Sequence, residues 1–117
     1  MPIDRKSKRR KNGRTDGAVA HLYDPLHPAV LRLVSQTIQM AHRHERPISI
    51  CGEMAGDPAF TRLLLGMGLR QFSMHPAQLL EVRQEVVMAD TEQLTAKVAR
   101  LLKIDETDRV RELVEKL

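Results

Sequence analysis

An α/β fold of parallel βαβ units is what this 117-residue sequence predicts, and two observations predict it. Two short runs, Ile48-Ser49-Ile50-Cys51 and Gln71-Phe72-Ser73-Met74, have strand character and stand between segments of helical periodicity. Each is followed within a few residues by a helix-start signal, Asp57-Pro58 after the first and His75-Pro76 after the second. Two strands are too few for an independent parallel sheet, which needs covering on both faces and neighbours at its edges. The sequence therefore reads as a piece of a larger fold.

The elements follow in order. Residues 1–17 are charged and aperiodic and read as disordered or loop. Ala18 to Tyr23 is a short strand candidate. A helix begins at His27-Pro28, with Val30, Leu33, Val34, Ile38 and Ala41 at helical spacing as its buried face. Pro47 separates it from the first strand, and Gly52 to Gly56 read as a loop. Asp57 and Pro58 open a second helix that runs through Leu63, Leu64 and Leu65 to a Gly66-Met67-Gly68 exit. After the second strand a third helix has Leu79, Val82 and Val86 as its expected buried face. Asp90 with Gln93 is a capping-box-like start for a fourth helix, with stripe Leu94, Val98, Leu101 and Leu102. A last helix starts at Asp105 and carries Val110, Leu113, Val114 and Leu117.

The composition, 42% apolar and 29% charged, is that of an ordinary globular domain. No apolar run approaches the roughly 20 residues of a membrane span, and the first fourteen residues have no secretory h-region. A cytoplasmic setting is expected. The single cysteine, Cys51, allows neither an internal disulfide nor a multi-thiolate metal site. The net charge of +4 is unevenly held: residues 1–14 carry seven basic side chains against Asp4, giving +6, and the remainder is −2. A basic tail on an acidic body, with Tyr23, Phe60 and Phe72 the only aromatics, argues against a nucleic-acid-binding domain.

The strongest local signal is Cys51-Gly52-Glu53-Met54-Ala55-Gly56-Asp57-Pro58. It sets a thiol at the carboxyl end of a strand, the edge where α/β sheets and barrels place reacting groups. The following helix directs its N-terminus toward that edge, which favours an anion. Free thiols are mostly protonated at neutral pH, so a proton donor is one role for Cys51; a nucleophile with a nearby base is another. A buried core cysteine is the competing structural reading. Glu53 either polarises the thiol or is a solvated loop residue. His21, His27 and His75 stand near helix starts, where structural roles are the rule, and none has zinc-like spacing.

Four blocks, His21 to Arg32, Cys51 to Pro58, Leu63 to Gly68 and Phe72 to Met74, together resemble the C-terminal end of Enzyme I. These are the phosphoenolpyruvate-protein phosphotransferases of the bacterial sugar phosphotransferase system, within the phosphoenolpyruvate-utilising enzymes. The resemblance runs from about Gly13 to Ala89. Pyruvate phosphate dikinase and phosphoenolpyruvate synthase share the Cys-Gly-Glu element but differ after it.

The resemblance implies a (β/α)8 barrel, of which this chain holds the C-terminal quarter: the last two strands and their helices over 18–89, then C-terminal helices over 90–117. Ala18–Tyr23 then belongs to a long connection rather than a strand. It implies that Cys51 protonates the enolate carbon of pyruvate as phosphoryl leaves phosphoenolpyruvate for a histidine. It also implies that Arg14, seven residues before His21, binds the phosphoenolpyruvate anion; the competing Asp4-Arg5 pair sits sixteen residues before it. In the family, Mg2+ is held by carboxylates upstream of this segment, so no metal ligands are expected here. The phosphorylated histidine, through which the phosphocarrier protein HPr or its paralogue is served, is upstream too. A homodimer through the C-terminal domain is a further implication, with no membrane partner. The segment alone is expected to be inactive. The alternative is a non-catalytic remnant or interaction module acting through barrel pairing or its basic arm.

Overall fold

The computed structural model describes residues 24–117. The expectations for residues 1–17, for Ala18–Tyr23, and for Arg14 and His21 lie outside the described residues. The elements in order are α1 (Pro28–Arg43), α2 (Glu53–Gly56), α3 (Pro58–Gly66), a 3-10 turn (Pro76–Gln78), α4 (Leu79–Met88), α5 (Thr91–Leu101) and α6 (Thr107–Glu115). No helix among the described residues is long and apolar enough to cross a membrane.

Local chemistry sets the helix starts. His27 caps α1 by accepting the Ala29 N–H at Nδ1, 3.1 Å away, with Pro28 in the first turn. Asp57 does the same for α3, accepting from Ala59 N–H at 2.9 Å, and Asp90 Oδ1 accepts from the Glu92 and Gln93 amides to cap α5. The last helix departs from expectation. It begins at Thr107 with Glu106 at the cap and no side-chain bond, and the Asp105 carboxylate instead meets Arg32 at 2.6 Å.

The ends of α1 and α3 share one hydrogen-bond pattern. Gly68 N–H donates to Leu65 C=O and Leu69 N–H to Leu64 C=O, both at 3.0 Å, with Gly68 at φ 102°. At α1, Glu45 N–H donates to His42 C=O and Arg46 N–H to Ala41 C=O, and there a glutamate occupies the left-handed position at φ 53°. A Cβ in that region costs about 1–2 kcal/mol, which the pair of bonds and Pro47 beyond them hold in place.

The core gathers around α3, which packs against α2, α4, α5 and α6. Leu63, Leu64 and Met67 meet Leu26, Leu31, Ile38, Leu69, Val98, Leu101, Val110 and Val114 there. Gly66 lets α5 approach closely, since a Cβ built on it would lie 2.4 Å from Val98 Cγ2. The α5 stripe of Leu94, Val98 and Leu101 is buried as its spacing predicts.

Three expectations are corrected. The strands over 48–51 and 71–74 reduce, among the described residues, to one isolated parallel bridge between Ile50 and Phe72; a ladder needs neighbours on both sides to extend. The buried face of α1 is Pro28, Leu31 and Ile38, leaving Val30 and Leu33 exposed. The helix carries two apolar stripes, and Leu31 and Ile38 are the pair that reaches the core. In α4 only Val82 is buried, while Leu79 and Val86 are exposed, because no second layer among the described residues covers that side.

Candidate functional site

The Ile50–Phe72 bridge fixes the polarity of the site. Ile50 N–H donates to Gln71 C=O at 3.3 Å and Ser73 N–H donates to Ile50 C=O at 2.9 Å, so the two segments run parallel. Cys51 and the Met74-His75 step therefore leave at the same, carboxyl, end. From Cys51 the chain turns at Gly52, whose φ of 85° suits a residue without a Cβ, and coils into α2. The loop expected over 52–56 is thus a single helical turn, closed by Gly56 N–H donating to Gly52 C=O at 3.2 Å.

The two strand-end connections touch. A Cβ on Gly56 would fall 2.0 Å from Gln78 Oε1, so the backbone of the first connection rests directly on the side chain of the second. Gln78 was not singled out by sequence reasoning. Its only signal is its place three residues after His75, and the contact is made across two separate segments.

Cys51 is exposed rather than packed in the core of the described residues. Glu53 is exposed as well, in the first turn of α2. The N-terminus of α3 is not the open anion site the sequence suggests, because the Asp57 carboxylate already occupies it as the cap. His27 and His75 are structural: His75 Nδ1 accepts the Ala77 N–H at 3.1 Å and caps the 3-10 turn as His27 caps α1. Among the described residues no three His, Cys, Asp or Glu side chains gather as a metal site would require.

A cavity of about 660 Å³ opens between α3, α4 and the C-terminal residues, lined by Leu26, Phe60, Arg62, Glu85 and Arg111 among others, and Cys51 is not among them. Its arginines already have partners: Arg62 meets Glu85 and Arg111 meets Asp24, each at 2.8 Å.

Residues 3–91 match the family model described as PEP-utilising enzyme, PEP-binding domain. A phosphoenolpyruvate-protein phosphotransferase of Cupriavidus necator is 64% identical over 89 residues, covering 76% of this chain and 15% of that protein. The enzymes of the same name from Enterococcus faecalis (40% identical over 103 residues) and Priestia megaterium (35% over 102) each cover 87% of this chain and 18% of their own length. The chain thus spans less than a fifth of the curated relatives it matches. With the family model covering most of the chain, and the thiol, the parallel bridge and the paired connections all inside the match, this chain belongs to the PEP-binding domain family of PEP-utilising enzymes.

Proposed function

We propose that this chain is the C-terminal part of a phosphoenolpyruvate-protein phosphotransferase and supplies the proton donor for its chemistry. The observation that carries the reading is the exposed Cys51 thiol directly after the parallel Ile50–Phe72 bridge, at the start of the connection whose Gly56 rests against Gln78. As phosphoryl passes from phosphoenolpyruvate to a histidine outside this segment, the C–O–P linkage breaks and the enolate of pyruvate is left. The Cys51 S–H gives its proton to the terminal carbon of that enolate, forming pyruvate and a thiolate that regains a proton from water. Arg14 grips the phosphate or carboxylate of the substrate through its guanidinium fork. A free thiol with this task suits a reducing, cytoplasmic setting.

In this reading residues 18–89 form the last two strands and helices of a (β/α)8 barrel, and residues 90–117 form helices that close its C-terminal side. Support comes from the parallel Ile50–Phe72 pairing and from the apolar sides of α1 and α4 that the described residues leave uncovered. The Mg2+ site, the acceptor histidine with its contact to the phosphocarrier protein HPr or its paralogue, and the rest of a homodimer interface lie in other parts of such an enzyme. The segment alone is inactive.

The test is kinetic. In a longer enzyme carrying this segment, Cys51→Ala lowers kcat by about 10²–10⁴-fold, the usual worth of general acid catalysis, with KM nearly unchanged. Arg14→Ala raises KM as well, because it holds the anion throughout the reaction. Full turnover in Cys51→Ala, or one signature shared by both variants, overturns the assignment.

A further inference from the structure

We infer that the groove between α5 and α6 is a docking site for an acidic protein segment that presents a large aliphatic side chain flanked by carboxylates. The groove encloses about 430 Å³ and has two kinds of lining. Its floor is Leu101, Ile104, Leu113 and Leu117, and its rim is Lys97, Arg100 and Lys116. No acidic side chain lines it.

The rim cations are not taken up by carboxylates of this chain among the described residues, a property they share with Arg43, Arg46, Arg70, Arg83 and Lys103; what distinguishes them is that the three surround one apolar floor. Arg32, Arg62, Arg109 and Arg111 each hold a carboxylate, at 2.6, 2.8, 3.2 and 2.8 Å respectively. Lys97, Arg100 and Lys116 are exposed and form no salt bridge among the described residues. Lys97 and Arg100 are three apart on α5, so their heads share one side of the groove; Lys116 follows the end of α6. Their methylene stems extend the apolar floor while the charges stay wet.

Charge complementarity selects the occupant. An apolar side chain fits the floor, and carboxylates on either side of it meet the rim. The basic residues of this chain's own first fourteen positions have the wrong sign, at a net +6. A single-stranded nucleic acid has the right sign but needs stacking surfaces, and no aromatic ring lines the groove. The groove lies outside residues 3–91 of the family match and shares no residue with the Cys51 site, so it stands independently of the proposed chemistry.

The test uses the intact chain and a fluorescein-labelled peptide, GELEELLEEG, read by anisotropy at low and high salt. Controls are the same peptide with every Leu replaced by Ser, the same with every Glu replaced by Lys, an oligothymidylate, and phosphatidylglycerol vesicles. The Glu/Leu peptide should bind at least about 10-fold more tightly than either peptide control, as expected when apolar burial and charge pairing both contribute. Its affinity should fall with salt. The double variant Lys97→Glu with Arg100→Glu should weaken it by about 10-fold or more, and Lys116→Glu, on the other wall, by about 3-fold. All three positions are exposed, so far-UV circular dichroism should be unchanged. Failure of the Glu/Leu peptide to bind, equal binding of the Ser peptide, preference for the oligothymidylate or vesicles, or undiminished binding by both variants each overturns the inference.

Discussion

Helices α3 and α4 have similar length and both are rich in aliphatic residues, yet they meet opposite fates. In α3, Thr61, Leu63, Leu64, Leu65 and Gly66 are buried. In α4, among Leu79, Leu80, Val82, Val86, Val87 and Met88, only Val82 is. The difference is not propensity or periodicity but company. Four helices surround α3, while α4 meets the body through α3 and the 3-10 turn. Apolar content thus marks a surface that seeks a partner, and only the packing shows whether this segment supplies it.

Four substitutions sharpen that contrast. Leu64→Ala, at a position with no exposure, should cost about 2–5 kcal/mol in urea unfolding, the range for cavities left in a packed core. Gly66→Ala is expected to cost about 1–3 kcal/mol despite alanine's better helix propensity, because the new methyl meets Val98 and the Leu94 carbonyl. Adding Val98→Ala should return part of that cost as a coupling in a double-mutant cycle. Leu80→Ala, on a residue that is 79% exposed, should shift stability by less than about 0.5 kcal/mol. A Leu80→Ala effect near that of Leu64→Ala in the isolated chain would show that α4 is covered in solution, for instance by a second copy, and would break the comparison.

What could be read from the sequence follows the range of the forces involved. His27, Asp57, His75 and Asp90 act on amides two or three residues away, so the helix starts they set are visible in a linear string. The position of Cys51 between the Ile50 bridge and the Gly52 turn is legible for the same reason, since Pro47, Gly52 and Asp57-Pro58 punctuate the segment locally. Strand length is not, because Ile50 and Phe72 need neighbours from elsewhere to become more than a bridge. Which apolar stripe of α1 turns inward is equally hidden, as Leu31 and Leu33 are chemically alike and differ only in what they face. The Gly56–Gln78 contact joins two connections 22 residues apart, and no spacing rule announces it.

Arg32 ties the two ends of the described chain together. From α1 its Nε donates to Leu102 C=O at 2.8 Å, the C-cap carbonyl of α5, and its Nη2 to Ile104 C=O at 3.2 Å in the turn that leads to α6. The accompanying contact to Asp105 adds little, as that carboxylate is 84% exposed. The backbone bonds matter more, because they span 70 and 72 residues of sequence. The α5–α6 hairpin is thereby clasped at its bend rather than along its length. Such a clasp makes the hairpin one cooperative opening unit: amide hydrogens on both helices would exchange with a shared free energy, and loosening the guanidinium would release them together.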